Sequence, residues 1–339
     1  MSEKIQKCAQ TYINISSLRG VECVGLCSTL LHLPPRQFIL IGGRAAQRFY
    51  LKLLCYTIVI MNLIDKAKFF KTKKRLGQNF LINEEVIKCI IDSAQISKDD
   101  IIVEIGAGVG FVTEKLVQKA KTVFAIELDK TAVDELKKID CDNLEIIHQD
   151  ILKTDIFGLA DEKVKVVANI PYYITSPIIA HLLGETDDLD NKNRSAISQI
   201  ILMVQEEVAK RIIATEKSPS KQYGQLSILA QFWADCEIIQ NVNRKSFYPA
   251  PKVNSSLVRI KINDEPRLKL SDYTHFRQVV KAAFSQRRKN IKNCLVNSGF
   301  RLERVKSALK QAEIDENTRG ENLSVEQFGQ LSEELKNGY

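Results

Sequence analysis

From residue 75 onward, short apolar runs alternate with amphipathic stretches. Ile101-Ile102-Val103-Glu104-Ile105 is an apolar run stopped by glycines, the pattern of a buried strand. Comparable runs recur at residues 122–126, 144–147, 164–168 and 200–204. Between them apolar positions return at helical spacing, which predicts helices over 111–120, 131–138, 177–183 and 206–214. Asn83-Glu84-Glu85 offers an N-cap and first-turn acids to a further helix carrying Val86, Ile87, Ile90 and Ile91. Residues 223–233 are apolar at helical spacing and read as core, whereas 185–195 and 218–220 read as surface loops. This alternation with short connections predicts an α/β fold, Rossmann-like, with a mostly parallel, doubly wound sheet. From about Asp264 the strand pattern stops, and helices are expected over 272–284, 287–297, 302–311 and 325–335. The expected organisation is an N-terminal extension over 1–65, an α/β domain over 66–263 and a small all-helical domain over 264–339.

The extension differs in character. No acidic residue occurs between Cys23 and Ile64, and the apolar run over 53–64 is too short for a membrane helix, which needs roughly 20 residues. An organellar targeting segment, an unpacked extension and a start assigned too early all fit. The last, with Met61 as first residue, is the expectation, because a complete domain begins just after it. The net charge of +8 is uneven: residues 1–60 hold seven Lys/Arg and two Asp/Glu. Beyond them, Lys66, Lys68, Lys71, Lys73, Lys74 and Arg75 form one basic run, and Arg287, Arg288, Lys289 and Lys292 another. Either suits a phosphate backbone or a solvated surface. The eight cysteines include no C-x-x-C pair and the four histidines are scattered, so no metal site is expected. The thiols read as reduced and mostly buried, in a cytoplasmic protein.

Glu104-Ile105-Gly106-Ala107-Gly108-Val109-Gly110 lies between the first strand and its helix. Glycines there admit positive φ and close approach of a ligand, and the following helix aims N–H groups at the site. A dinucleotide fingerprint needs G-x-G-x-x-G; here the third glycine comes one residue early. Glu127, ending the second strand, suits a ribose hydroxyl pair. Asp150, past the third strand, suits an adenine amino group. With Glu104 ahead of the glycines, these features favour S-adenosylmethionine over a nicotinamide cofactor.

Asn169-Ile170-Pro171-Tyr172 follows the fourth strand directly. A plain turn would use the same residue types, but the order has a chemical use. An exocyclic adenine nitrogen is a poor nucleophile because its lone pair is delocalised into the ring. The Asn169 side-chain oxygen and the Ile170 carbonyl can accept both N6 hydrogens, Pro171 stiffens the loop, and Tyr172 can stack on the base. The base must leave its stack to reach such a pocket.

The chain resembles the ribosomal RNA adenine dimethyltransferases, and within them the branch acting on the small subunit. The resemblance spans about residues 74–324. It rests on 75–81 (RLGQNFL), 103–106 with Gly108, 126–129, Gln149-Asp150, 169–174 with Pro177, 223–227, 247–255, 284–289 and 319–324. It implies cofactor contacts at Asn79, Leu81, Gly106, Gly108, Glu127, Asp150 and Asn169. It implies a target adenine between Tyr172 and Phe247, with Ile170 and Pro171 completing the catalytic loop. Lys73, Lys74, Arg75, Arg287, Arg288 and Lys289 are the expected RNA contacts. The implied reaction is dimethylation at N6 of two adjacent adenosines in the 3′-terminal hairpin loop of small-subunit rRNA, within an immature 30S subunit and by a monomer. Ala107 stands where the family often has Pro. A large-subunit methyltransferase of the macrolide-resistance type and a non-catalytic assembly factor are the competing expectations.

Overall fold

In a computed structural model, the structure describes residues 63–68, 70, 72–73 and 76–336. The extension over 1–62, and with it Lys74 and Arg75, lies outside them.

The chain runs β1 (Phe80–Leu81), α1 (Glu84–Ser93), β2 (Ile101–Ile105), α2 (Thr113–Leu116), β3 (Thr122–Glu127), α3 (Lys130–Leu136) and β4 (Leu144–His148). Next come β5 (Val164–Asn169), α4 (Thr175–Leu183), α5 (Lys192–Ala196), β6 (Ile197–Gln205), α6 (Glu206–Ile213) and α7 (Gln225–Trp233). Then β7 (Ala234–Val242), β8 (Phe247–Tyr248) and β9 (Ser255–Ile262) precede four helices: α8 (Tyr273–Ala283), α9 (Ile291–Asn297), α10 (Leu302–Gln311) and α11 (Val325–Lys336).

The main sheet has the order β4-β3-β2-β5-β6-β9-β7. The first five strands are parallel, and β9 pairs antiparallel with both β6 and β7. Strands covered on both faces must be apolar on both, and β2 is buried throughout. The two faces divide by parity. Val103, Val166, Leu202 and Ile260 enter one apolar cluster, while Ile102, Val167, Met203 and Leu257 enter the other. The second cluster is closed by α1, where Asn83 Oδ1 accepts the amides of Glu85 and Val86 as an N-cap and Val86, Ile87, Ile90 and Ile91 face inward.

The first cluster continues without a break into the C-terminal helices. Phe232 of α7 stacks on Phe276 of α8 at 5.3 Å, and Phe328 of α11 is buried in the same cluster. The helical segment is thus a layer on the sheet, and Leu63–Tyr339 forms one compact unit.

Several expectations change. The helix expected over 111–120 is a regular α-helix only over Thr113–Leu116, with Val112 and Val117 at its ends also in right-handed helical geometry. The helix expected from residue 287 begins at Ile291, because Asn290 caps it through Oδ1 to the amide of Asn293. Arg287, Arg288 and Lys289 therefore lie on the turn before a helix. The loop expected over 185–195 contains the start of α5 and a buried cation: the Arg194 guanidinium lies 3.5 Å from the Trp233 ring centroid and donates to the carbonyls of Leu183 and Leu189. Of the four described cysteines, all free thiols, Cys294 is buried, Cys89 and Cys236 are half-buried and Cys141 is exposed; the other four lie outside the described residues. No helix among the described residues is long and apolar enough to cross a membrane.

Candidate active site

Four strand ends, those of β2, β3, β4 and β5, meet in one cavity at the carboxyl edge of the sheet, where ligands bind in open α/β sheets. After β2 the backbone turns through Gly106, Gly108 and Gly110, all at positive φ. A β-carbon on Gly106 would stand 3.0 Å from the Asn169 carbonyl oxygen, and one on Gly108 3.1 Å from the Phe80 ring. Glycine is needed at both places for space as well as conformation.

Glu127 ends β3. Its Oε2 accepts the Gly108 amide at 2.8 Å, and its Oε1 accepts the Asp129 amide at 2.8 Å. Burial raises its pKa, and the amide hydrogen bonds oppose that shift by favouring the carboxylate. Each oxygen keeps acceptor capacity for a ribose hydroxyl. Asp150, past β4, starts a 3-10 turn by accepting the Leu152 amide at 3.0 Å and lines the same cavity. Ile126, Leu128 and Ile151 add apolar wall.

The segment before β1 reaches the cavity through Gln78 and Asn79, and a buried clasp holds it. Lys73 Nζ donates to Asp129 Oδ1 at 2.5 Å, and Gln78 Nε2 donates to Asp129 Oδ2 at 2.8 Å. The Lys73 amide donates in turn to Gln78 Oε1. Burial would raise the Asp129 pKa, but Lys73, Thr131 and Gln78 outweigh it and hold the value at about 2. Asp129 touches Glu127 through its own amide, so the clasp is built onto the Glu127 carboxylate. Lys73, expected at an RNA surface, has its ammonium committed here.

Glu104 lies beneath the loop, buried, and accepts the Thr113 hydroxyl at 2.6 Å. Desolvation foremost, with the nearby Glu127 charge, pushes it up to about 8 despite that hydrogen bond. It is a neutral acid at pH 7.

Asn169 is the last residue of β5 and lines the cavity; its side-chain amide forms no hydrogen bond to another described residue. Ile170 and Pro171 follow, the latter at φ −60°, and Tyr172 opens a 3-10 turn. The Tyr172 hydroxyl pairs with Ser255 Oγ at 2.5 Å, which fixes the ring at the cavity wall, and burial raises the phenol pKa.

The cavity thus brings together Asn79, Gly106, Gly108, Glu127, Asp150, Asn169, Ile170, Pro171 and Tyr172. Leu81 and Phe247 are not on its lining. They pair across β1 and β8, and Phe247, 2% exposed, sits in the apolar cluster with Phe80. Sequence reasoning passed over Tyr173, Leu128 and the Asp129 clasp. Tyr173 is 60% exposed at the cavity, its ring 3.2 Å from where a Gly77 β-carbon would lie. Its place beside Tyr172 was the available signal. On the helical layer Arg287 Nε lies 3.9 Å from Glu321, while Arg288 and Lys289 are exposed.

A carboxylate at the end of β3, a second acceptor past the next strand, apolar walls and a glycine cradle fit S-adenosylmethionine. Fold and site define a class I S-adenosylmethionine-dependent methyltransferase. The sequence profile of ribosomal RNA adenine dimethylase matches residues 69–337, and the chain belongs to that family.

Among its relatives is the Ribosomal RNA small subunit methyltransferase A of Clostridium botulinum (strain Loch Maree / Type A3), 42% identical over 277 residues, covering 80% of this chain and 96% of that one. The protein of the same name from Bacillus licheniformis is 40% identical over 279 residues, covering 79% and 92%. A solved dimethyladenosine transferase from Plasmodium falciparum superposes with a TM-score of 0.62 at 27% identity, covering 74% of this chain and 95% of that one. The 23S rRNA methyltransferase ErmE gives 0.57 at 26% identity, covering 76% and 99%.

Proposed function

We propose that this chain methylates N6 of two adjacent adenosines in the 3′-terminal hairpin loop of small-subunit rRNA, giving N6,N6-dimethyladenosine. In this reading it acts as a cytoplasmic monomer on an immature 30S subunit. Residues 66–263 carry the chemistry and 264–339 face the RNA. The observation that carries the reading is the uncommitted Asn169 amide, set against the glycine loop in a cavity that also holds Glu127 and Asp150.

When bound, S-adenosylmethionine supplies an electrophilic methyl group. Glu127 takes the ribose hydroxyls, Asp150 the cofactor's adenine amino group, and Gly106 and Gly108 let the backbone close on the rest. Asn79 lines the entrance, and Leu81 acts through the backbone of β1. Asn169 Oδ1 and the Ile170 carbonyl accept the two N6 hydrogens of the target adenine, which favours a pyramidal nitrogen. After one methylation a single N6 hydrogen remains, and either acceptor can hold it for the second. Tyr172, and Tyr173 at the rim, offer ring faces to bases. The buried Phe247 braces β1 from below, and a stacking role would require its ring to leave that packing. No strong base is needed, because the attacked nitrogen becomes acidic and sheds its proton. Positioning supplies most of the acceleration.

The test is labelling of separated ribosomal subunits with methyl-labelled S-adenosylmethionine. Label is expected in the small-subunit RNA. Incorporation into the large subunit would favour the activity in ErmE's name, and no incorporation would favour a non-catalytic assembly factor.

A further inference from the structure

A second groove lies away from the cavity, in the helical layer. Its walls are α8, the 298–301 turn and the C-terminal end of α11. Lys281, Arg301 and Arg304 line it together with Gln278, Ser285 and Ser298, and among the described residues no carboxylate does. Lys281 and Arg301 are exposed and form no ion pair with another described residue. Neighbouring cations behave differently: Arg277 pairs with Glu185 and Asp187, and Lys292 with Glu316. His275, also on the lining, is held below its ordinary pKa mainly by burial and shares a hydrogen bond with Ser332. It adds a polar group rather than a charge.

The placement of the arginines runs against local helix electrostatics. Helices favour acids at their N-termini; α8 obeys this with Asp272 as its cap, and α9 has the neutral cap Asn290. At the start of α10 the N-cap is Arg301, with no side-chain cap bond, and Arg304 follows one turn on. Glu303 in that first turn is not on the groove lining. An arginine cap at the positive end of a helix, facing a groove with no acid among its described lining residues, is a local conflict of the kind found at binding sites. The groove also adjoins the basic turn. Asn297 Nδ2 donates to Gln286 Oε1 at 3.2 Å, and Ser285 and Ser298 hydroxyls approach to 3.5 Å. The basic turn and the groove are therefore neighbours along the 285–298 segment.

We infer that this groove binds the phosphate backbone of an rRNA segment outside the target hairpin, with Lys281 and Arg301 as its phosphate contacts. The inference rests on the small-subunit reading above. Binding of the full chain to small subunits lacking the methyl groups is measured across a salt series, for wild type and for Lys281→Ala/Arg301→Ala. Lys281→Gln/Arg301→Gln repeats the test at preserved side-chain length, and melting curves and S-adenosylmethionine affinity verify folding.

Both variants are expected to bind subunits roughly tenfold or more weaker near physiological salt. The slope of log K against log salt should flatten by about two units, one for each lost phosphate contact. Unchanged affinity and slope in variants of a wild type that methylates small subunits would overturn the inference and leave the function standing. Weaker binding with an unchanged slope would also overturn it, assigning the groove to a protein surface. A wild type that neither binds nor methylates small subunits would instead remove the functional reading itself.

Discussion

A β-carbon on Gly106 would stand 3.0 Å from the carbonyl oxygen of Asn169. The glycine loop and the 169–172 segment are therefore in backbone contact, and the position of one limits the other. Gly106→Ala combines that close approach with a φ of +74°. The strain costs on the order of 1–3 kcal/mol, so cofactor affinity measured by calorimetry should fall about tenfold or more. Turnover should fall with it, because the loop can relax only by displacing Asn169.

The Lys73–Asp129–Gln78 clasp gives an acid-sensitive contribution. The Asp129 pKa is lowered from 3.8 to about 2 in the folded chain. Its stabilisation is present above the unfolded value and is lost as pH falls through about 2. The full contribution is on the order of 2 kcal/mol. Asp129→Asn should lower the unfolding free energy at pH 7 by that order, and the gap from wild type should close toward pH 2. Cofactor affinity should drop as well, since the Asp129 amide holds Glu127.

Glu104 has the opposite sign. Its pKa is raised from 4.5 to about 8, so between those values the folded chain keeps a proton that the unfolded chain releases. Stability falls as pH rises through that window and levels off above about 8. Glu104→Gln stays neutral and can still accept the Thr113 hydroxyl. Its denaturation midpoint should vary less between pH 5 and pH 8 than that of wild type, and it should be the more stable form at pH 8. A variant that follows the wild-type profile would remove Glu104 as the source of the slope.

The parallel strands were legible because burial on both faces forces continuous apolar runs, as in Ile101–Ile105. The glycine loop, Glu127, Asp150 and Asn169 were legible because each stands at or just past the end of a strand, where the cavity forms. The strands β7 and β9 were not foreseen. Most of β7 is only partly buried, so Asp235, Glu237 and Gln240 interrupt its apolar pattern. Its pairing with β9 is also non-local. The clasp was illegible for a similar reason: Lys73 and Asp129 are 56 residues apart, and no periodicity links them. Phe247 was expected beside the target base from the family resemblance, which carries no information on burial. The pairing of β8 with β1 turns it inward instead.

The central claim is that Asn169 presents acceptors to an adenine amino group. Its most direct test is mass-spectrometric measurement of N6,N6-dimethyladenosine in small subunits incubated with wild type or Asn169→Ala, alongside the cofactor affinity of each. The account predicts two dimethylated adenosines with wild type, a loss of roughly a hundredfold or more in rate with the variant, and cofactor affinity only modestly weakened. Dimethylation by Asn169→Ala at the wild-type rate would contradict it.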